Sequence, residues 1–192
     1  KMTPKQFVKK FQGISFDIHG VRLPEFKPKK KKELELKDDD NSSFLKALCS
    51  HGLKTRNLLN ENKQKYIDRT KKELSIIEEL GFVDYILLVY DVINFCNEED
   101  IPTGLGRGSA AGSLVLYLIG VTHVDPIKHG LYFERFISKI RAKKQVVDGI
   151  TYLDGELMCD VDLDICYYSR PKVLKYLEDK FKGKTAKILT LN

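Results

Sequence analysis

Two groups of residues in this chain have types and spacing suited to chemistry. One is the acidic row Asp160-Val161-Asp162-Leu163-Asp164; the other, well upstream, is the small-residue segment Gly106-Arg107-Gly108-Ser109-Ala110-Ala111-Gly112-Ser113. In extended backbone alternate side chains leave the same face, so Asp160, Asp162 and Asp164 would share one wall while Val161, Leu163 and Ile165 face the other way. Two carboxylates at about 4 Å repel by about 4 kcal/mol at an effective dielectric near 20, so such a row calls for cations between its oxygens. Hard divalent ions suit it: Mg²⁺ takes oxygen ligands and is usually held by one or two carboxylates plus substrate phosphates, and a pair of such ions can hold the attacking and leaving oxygens of an in-line displacement. The bland alternative is an edge strand with a solvated acidic face.

The upstream segment supplies the other half of that chemistry. Gly104, Gly106, Gly108 and Gly112 allow positive φ and close approach of backbone to ligand, and an apolar run reading as helix from Ser109 through Ile119 places a helix N-terminus against the loop. Free N–H groups there suit a triphosphate, with Arg107 adding a forked cation and Ser109 or Ser113 adding hydroxyls. The spacing matches neither the Walker loop nor the dinucleotide fingerprint, and small residues can also serve tight helix packing. Taken with the acids, the pattern points to nucleotidyl transfer.

The elements that must position these groups are legible in outline. Residues 1–20 read as a mostly helical lead-in with Phe7, Val8 and Phe11 as its apolar face, and Lys27-Pro28-Lys29-Lys30-Lys31-Lys32 to Asp38-Asp39-Asp40 as an exposed connection. Ser42 or Ser43 is expected to cap a short helix that runs to His51 and stops at Gly52. Asn62 to Leu80 reads as an amphipathic helix with Tyr66, Thr70, Leu74, Ile77 and Leu80 inward. Tyr85, Leu88, Val89, Val92, Ile93 and Cys96 form the stripe of the next helix, which ends before Pro102. Val146 to Tyr152 reads as a hairpin turning at Asp148-Gly149. Pro171 opens a helix to Phe181, and Thr185 to Leu191 reads as a strand, giving strand–helix–strand with the acidic strand central.

The composition is that of a globular domain: 192 residues, 42% hydrophobic and 31% charged, enough for one sizeable core. A net charge of +6 suits a polyanionic partner and is also ordinary. Cys49, Cys96, Cys159 and Cys166 form no Cys-x-x-Cys pair and the four histidines lack zinc spacing, so neither a disulfide framework nor a structural zinc is indicated, and a reducing cytoplasm is the expectation. No apolar run approaches membrane-spanning length.

Several motifs in order carry a resemblance. Gly81-Phe82-Val83-Asp84-Tyr85, Ile101-Pro102-Thr103-Gly104-Leu105-Gly106-Arg107-Gly108-Ser109-Ala110-Ala111-Gly112-Ser113-Leu114-Val115, Val121-Thr122-His123-Val124-Asp125-Pro126-Ile127, Leu131-Tyr132-Phe133-Glu134-Arg135-Phe136 and the acidic row together resemble the bacterial C-family replicative DNA polymerases of the polymerase III alpha type. Val21-Arg22-Leu23-Pro24-Glu25-Phe26 and Ile188-Leu189-Thr190 are weaker echoes.

The resemblance implies an α+β fold, the polymerase beta-like nucleotidyltransferase palm with a mixed sheet and flanking helices, incomplete at its C-terminal side. Residues 1–40 would then be lead-in and linker from a preceding domain, and 41–192 the N-terminal part of the palm. It implies a DNA-directed DNA polymerase in which Asp160 and Asp162 are the catalytic pair, Asp164 is a supporting ligand, two Mg²⁺ ions (Mn²⁺ as substitute) are the cofactors, and Arg135 is a second basic residue for phosphate. Arg135 is equally suited to pair with Glu134. Implied partners are primer–template DNA, a deoxynucleoside triphosphate, the remaining polymerase with a third aspartate and fingers, in cis or in trans, and a sliding clamp bound through other regions; the setting would be bacterial cytoplasm or nucleoid, or a phage-infected cell.

Two departures from the pattern stand out: Cys159 where the family places Pro, and residues 139–158, which read as an insertion. The chain opens at Lys1 and reaches Asn192 without the third aspartate, so an expressed piece, a split enzyme and an intein-interrupted half are all compatible, and this chain alone is expected to be inactive. The rival class is a non-catalytic module that binds DNA or subunits until completed.

Overall fold

The computed structural model describes residues 3–12, 27, 34, 40–60, 62–138, 144–153 and 158–186. Six α-helices organise them: α1 (Pro4–Phe11), α2 (Asn41–Thr55), α3 (Lys63–Glu79), α4 (Val83–Glu98), α5 (Leu114–Leu118) and α6 (Arg170–Lys180). A hairpin of β1 (Lys144–Val147) and β2 (Ile150–Leu153) precedes the acidic row.

Local signals explain most boundaries. Thr3 and Gln6 form a reciprocal capping box around Pro4. The cap of α2 is Asp40, whose carboxylate accepts the Ser43 N–H at 2.8 Å; Ser43, expected as a cap, is instead the residue whose amide is capped. The hairpin turns where expected, with Asp148 and Gly149 both at positive φ, 51° and 76°, matching the right-handed twist of the strands.

Gly52 does not stop α2, which continues to Thr55. A Cβ at position 52 would lie 2.2 Å from the Leu118 carbonyl oxygen, so the glycine is there to let α2 touch the backbone of α5. The sequence signal for a C-cap and for a close helix crossing is the same residue, and here the crossing is the cause.

The core lies where α2, α3, α4 and α5 meet, around Phe44, Leu45, Ile77, Leu87, Leu114 and Leu116, all fully buried. The expected inward face of α3 is buried throughout. Of the stripe expected on α4, Val89, Val92, Ile93 and Cys96 are buried and Tyr85 and Leu88 only partly so, while Ile86, Leu87 and Tyr90 are buried too, because α2 covers one side of the helix and α6 another. α6 docks by stacking Tyr176 on Phe95, ring centroids 4.0 Å apart, and by tying the Tyr176 hydroxyl and the Lys180 ammonium to the buried Asp91 carboxylate, each at 2.6 Å.

The expected mixed sheet is not found among the described residues, where the hairpin is the only sheet. Residues 160–164 form no strand, and Ile165 makes a single antiparallel bridge, to Thr103. Most of the strand expected at 185–191, much of the basic run at 27–32 and the side chains of Phe7 and Phe11 lie outside the described residues. No helix among those described is long and apolar enough to cross a membrane.

Candidate functional site

The alternation expected of the acidic row is present. Asp160, Asp162 and Asp164 are exposed while Val161, Leu163 and Ile165 are partly buried, Val161 and Leu163 against the main core. Two attachments hold the row. On one side the Tyr85 hydroxyl of α4 accepts the Val161 N–H at 3.3 Å. On the other, the strand-like segment before the glycine-rich loop pairs with the end of the row: Gly104 N–H donates to the Asp164 carbonyl at 2.8 Å, and Cys166 N–H to the Pro102 carbonyl at 3.1 Å. Burial first, then the neighbouring Cys159 thiol and the Asp160 and Asp162 carboxylates, push the Tyr85 hydroxyl up to about 12.

This pairing brings the two sequence motifs together. Gly106 and Gly108 take positive φ, 98° and 65°, and carry the chain across the acidic face. A Cβ at 104 would lie 2.9 Å from Asp164 Cβ, one at 108 would lie 3.4 Å from Asp162 Oδ2, and one at 106 would press on Thr122. Between them Arg107 bridges the carboxylates, with Nε 3.2 Å from Asp164 Oδ1 and Nη2 3.6 Å from Asp162 Oδ1.

Extension spreads such a row of acids rather than converging it. In a fully extended chain, at about 3.3 Å of rise per residue, positions four apart would lie about 13 Å from one another. No group of three His, Cys, Asp or Glu suited to a metal occurs among the described residues. Asp164 pairs with Arg107, whose Nε lies 3.2 Å from its Oδ1. Asp160 and Asp162, neighbours on one exposed face, offer the hard oxygen donors that Mg²⁺ takes, and the guanidinium already drawn to Asp162 marks that face as one that attracts cations.

The glycine-rich end of the site departs from expectation. A 3₁₀ turn, Gly108–Gly112, comes first, and α5 begins only after Ser113. Ser113 is fully buried, its hydroxyl donating to Glu73 Oε2 at 3.0 Å and accepting the Leu116 N–H, so it faces α3 and not a ligand. The N–H groups of Leu114 and Val115 donate to the same carboxylate at 3.1 and 3.0 Å, leaving no free helix terminus there for phosphate. Gly112 is likewise a packing residue, since a Cβ there would lie 2.6 Å from the Tyr132 carbonyl oxygen. The exposed groups of the cradle are Arg107, Gly108 and Ser109.

Arg135 is exposed at the end of the 3₁₀ turn Phe133–Arg135, which packs against Gly108–Gly112. It does not pair with Glu134: that carboxylate bonds the Lys72 ammonium at 2.6 Å, which holds it below the usual carboxylate range.

Three residues of the site were not singled out from sequence. In sequence Tyr85 belongs to the apolar stripe of its helix, and the role of its hydroxyl leaves no trace in that stripe. Glu73 and Arg69 were readable in part, as an i,i+4 ion pair on α3; that the pair is turned inward depends on what packs on it. Burial pushes the Glu73 carboxyl up, while the Val115 and Leu114 amides and Arg69 favour its ionised form.

Comparison with known proteins adds an independent observation. Residues 43–192 match the family model of the bacterial DNA polymerase III alpha NTPase domain. The chain is 39% identical over 180 residues, 92% of its length, to "DNA polymerase III subunit alpha" of Aquifex aeolicus, and 39% identical over 188 residues, 96% of its length, to that of Borreliella burgdorferi. A third relative of the same name, from Ureaplasma parvum, is 43% identical over 73% of the chain. The aligned regions make up only 13–14% of these relatives' own length.

Proposed function

We propose that this chain, which belongs to the bacterial DNA polymerase III alpha family, carries the nucleotide-facing part of a polymerase active site within a polymerase beta-like palm. In this reading Arg107, Gly108 and Ser109 receive the triphosphate of an incoming deoxynucleoside triphosphate, and Asp160 with Asp162 serves the phosphate that is joined to a primer 3′-hydroxyl. The observation that carries it is the pairing of Gly104 with Asp164, which lays the loop across the acidic face and places Arg107 against Asp162 and Asp164.

The exposed guanidinium has a second partner to offer itself to. A triphosphate entering the loop presents more negative charge than the two carboxylates, so Arg107 turns from Asp162 to phosphate oxygens in a forked contact. The Gly108 and Ser109 amides and the Ser109 hydroxyl orient the same group, and Arg135 on the adjoining turn adds charge. Asp160 and Asp162 would hold Mg²⁺, or Mn²⁺ in its place, which when bound neutralises phosphate charge and favours ionisation of the 3′-hydroxyl. The α-phosphate is transferred to the primer and pyrophosphate departs. Primer–template DNA, the third aspartate and the fingers belong to the longer protein in this reading.

The decisive experiment is primer extension by the polymerase that carries these residues, wild type against D162N. The substitution keeps shape and removes charge, so extension is expected to vanish while DNA binding persists; extension above about a tenth of the wild-type rate refutes the assignment.

A further inference from the structure

The Glu73–Arg69 pair on α3 is more heavily bonded than a core needs. Glu73 is fully buried and accepts four donors, two on each oxygen: Arg69 Nε (2.6 Å) and Leu114 N–H (3.1 Å) on Oε1, Ser113 Oγ (3.0 Å) and Val115 N–H (3.0 Å) on Oε2. Arg69 carries the network further, its Nη2 donating to the carbonyls of Gly112 at 3.0 Å and Leu131 at 3.3 Å. Gly112 closes the cradle turn, and Leu131 leads into the turn that presents Arg135. Outside α3 the pair thus bonds Ser113 and the first N–H groups of α5, directly after the cradle turn, and the carbonyls of Gly112, which ends that turn, and Leu131, which leads into the turn bearing Arg135.

The reason lies in the lengths of those segments. The cradle turn has five residues, α5 has five and the Arg135 turn has three, none long enough to hold its own geometry. A buried carboxylate at the start of α5 completes the helix from outside, and the planar guanidinium fixes the two turns relative to each other through two carbonyls.

We propose that Glu73, acting through Arg69, is a positioning residue of the phosphate cradle: it sets the placement of the Arg107–Ser109 loop and of Arg135 against the incoming triphosphate without touching substrate. This rests on the reading of the site given above. A positioning role differs from a purely structural one in what it disturbs. Loss of the network shifts the cradle, so nucleotide use suffers while primer–template binding and the carboxylates, held by Tyr85 and Gly104, are spared.

The test uses the complete polymerase carrying E73Q and, separately, R69K, with D162N as the reference for the site. Glutamine keeps the shape but retains one acceptor oxygen, turning an NH₂ group onto two of the four donors. Lysine keeps the charge but lacks the fork that reaches Glu73 and both carbonyls. Each variant is expected to raise the KM for deoxynucleoside triphosphate about tenfold or more while the KM for primer–template stays within about twofold. R69K supplies the measurement if E73Q does not fold. If D162N abolishes extension but the foldable variants leave the nucleotide KM within about twofold, or raise both KM values together, the positioning role is overturned and the site reading survives. If D162N extends normally, the site reading fails and the positioning role with it.

Discussion

Replacing Arg107 with alanine separates what the structure uses the residue for from what the reaction would use it for. In the fold, Arg107 makes two ion pairs, at 3.2 and 3.6 Å, but its side chain is 59% exposed and those of Asp162 and Asp164 are 50% and 59% exposed. Pairs this open are worth at most about 1 kcal/mol, and their loss is partly offset by the freedom regained by three side chains. For a domain of this size that corresponds to a shift in Tm of no more than about 2–4 °C. Bound to a triphosphate in a closed site, the same guanidinium would make charge-assisted hydrogen bonds worth about 1.5–3 kcal/mol, which is roughly 10- to 150-fold in nucleotide affinity. The expected result is thus a near-native melting curve together with a nucleotide KM raised by one to two orders of magnitude. R107K, with charge but no fork, should fall between. Thermal denaturation and steady-state primer extension on the same preparations decide it. A large drop in Tm with unchanged nucleotide KM would show Arg107 to be a clasp between loop and acidic row, and the argument from exposure would be wrong.

Other expectations follow from the same contacts. Gly52→Ala gains about 1 kcal/mol of helix propensity but drives a Cβ to 2.2 Å from the Leu118 carbonyl oxygen, so α2 and α5 must separate; a net loss of about 1–3 kcal/mol should appear in denaturant unfolding, and a stabilised variant would disprove the close crossing. Tyr85→Phe leaves the Val161 N–H without its partner and should cost about 1 kcal/mol while slowing extension more than it weakens DNA binding; unaltered extension would remove Tyr85 from the site. Asp40, held below the usual carboxylate range chiefly by the Ser43 amide, caps α2 better when ionised: that added stability is present above the ordinary Asp range and fades as pH falls through the lowered value, a loss absent from D40N. Residues 1–192 alone should show no templated synthesis with Mg²⁺ or Mn²⁺, because the proposed reading takes a third aspartate and the fingers from the longer protein and aligned reactants tolerate misplacement of only about 1 Å; robust extension by this chain would mean a compact enzyme with Asp164 as the first suspect for a further carboxylate.

The helices that form the core were legible because their signals are local. The stripe of α3, the Pro that opens α6 and the Asp-Gly turn each depend on residues within a few positions and each appears where read, whereas the buried face of α4 is wider than its stripe and leaves Tyr85 and Leu88 partly exposed. The errors fall where one residue type answers to two causes. Gly52 and Gly112 are glycines of close approach, and only the neighbouring backbone, Leu118 in one case and Tyr132 in the other, distinguishes that from a stop or a phosphate contact. Ser113 is a cap, as a serine before an apolar run ought to be, yet a cap whose hydroxyl is also spent on a carboxylate forty positions away in sequence cannot serve a ligand.

The acidic row shows the same limit from the other side. Its alternation is a period-two pattern: Val161 and Leu163 pack against the core while, among the described residues, the row's strand-like pairing is the single bridge of Ile165 to Thr103. What alternation cannot convey is convergence: identical faces along an extended chain diverge by about 7 Å for every second residue, so a third acid in register is farther from the first, not closer to it. Convergence needs a partner from elsewhere in the chain, and the partner found here is Arg107. The glycines of the loop divide in the same way: Gly104 and Gly108 lie against Asp164 and Asp162, Gly106 against Thr122 and Gly112 against the Tyr132 backbone, a division that residue type alone does not show.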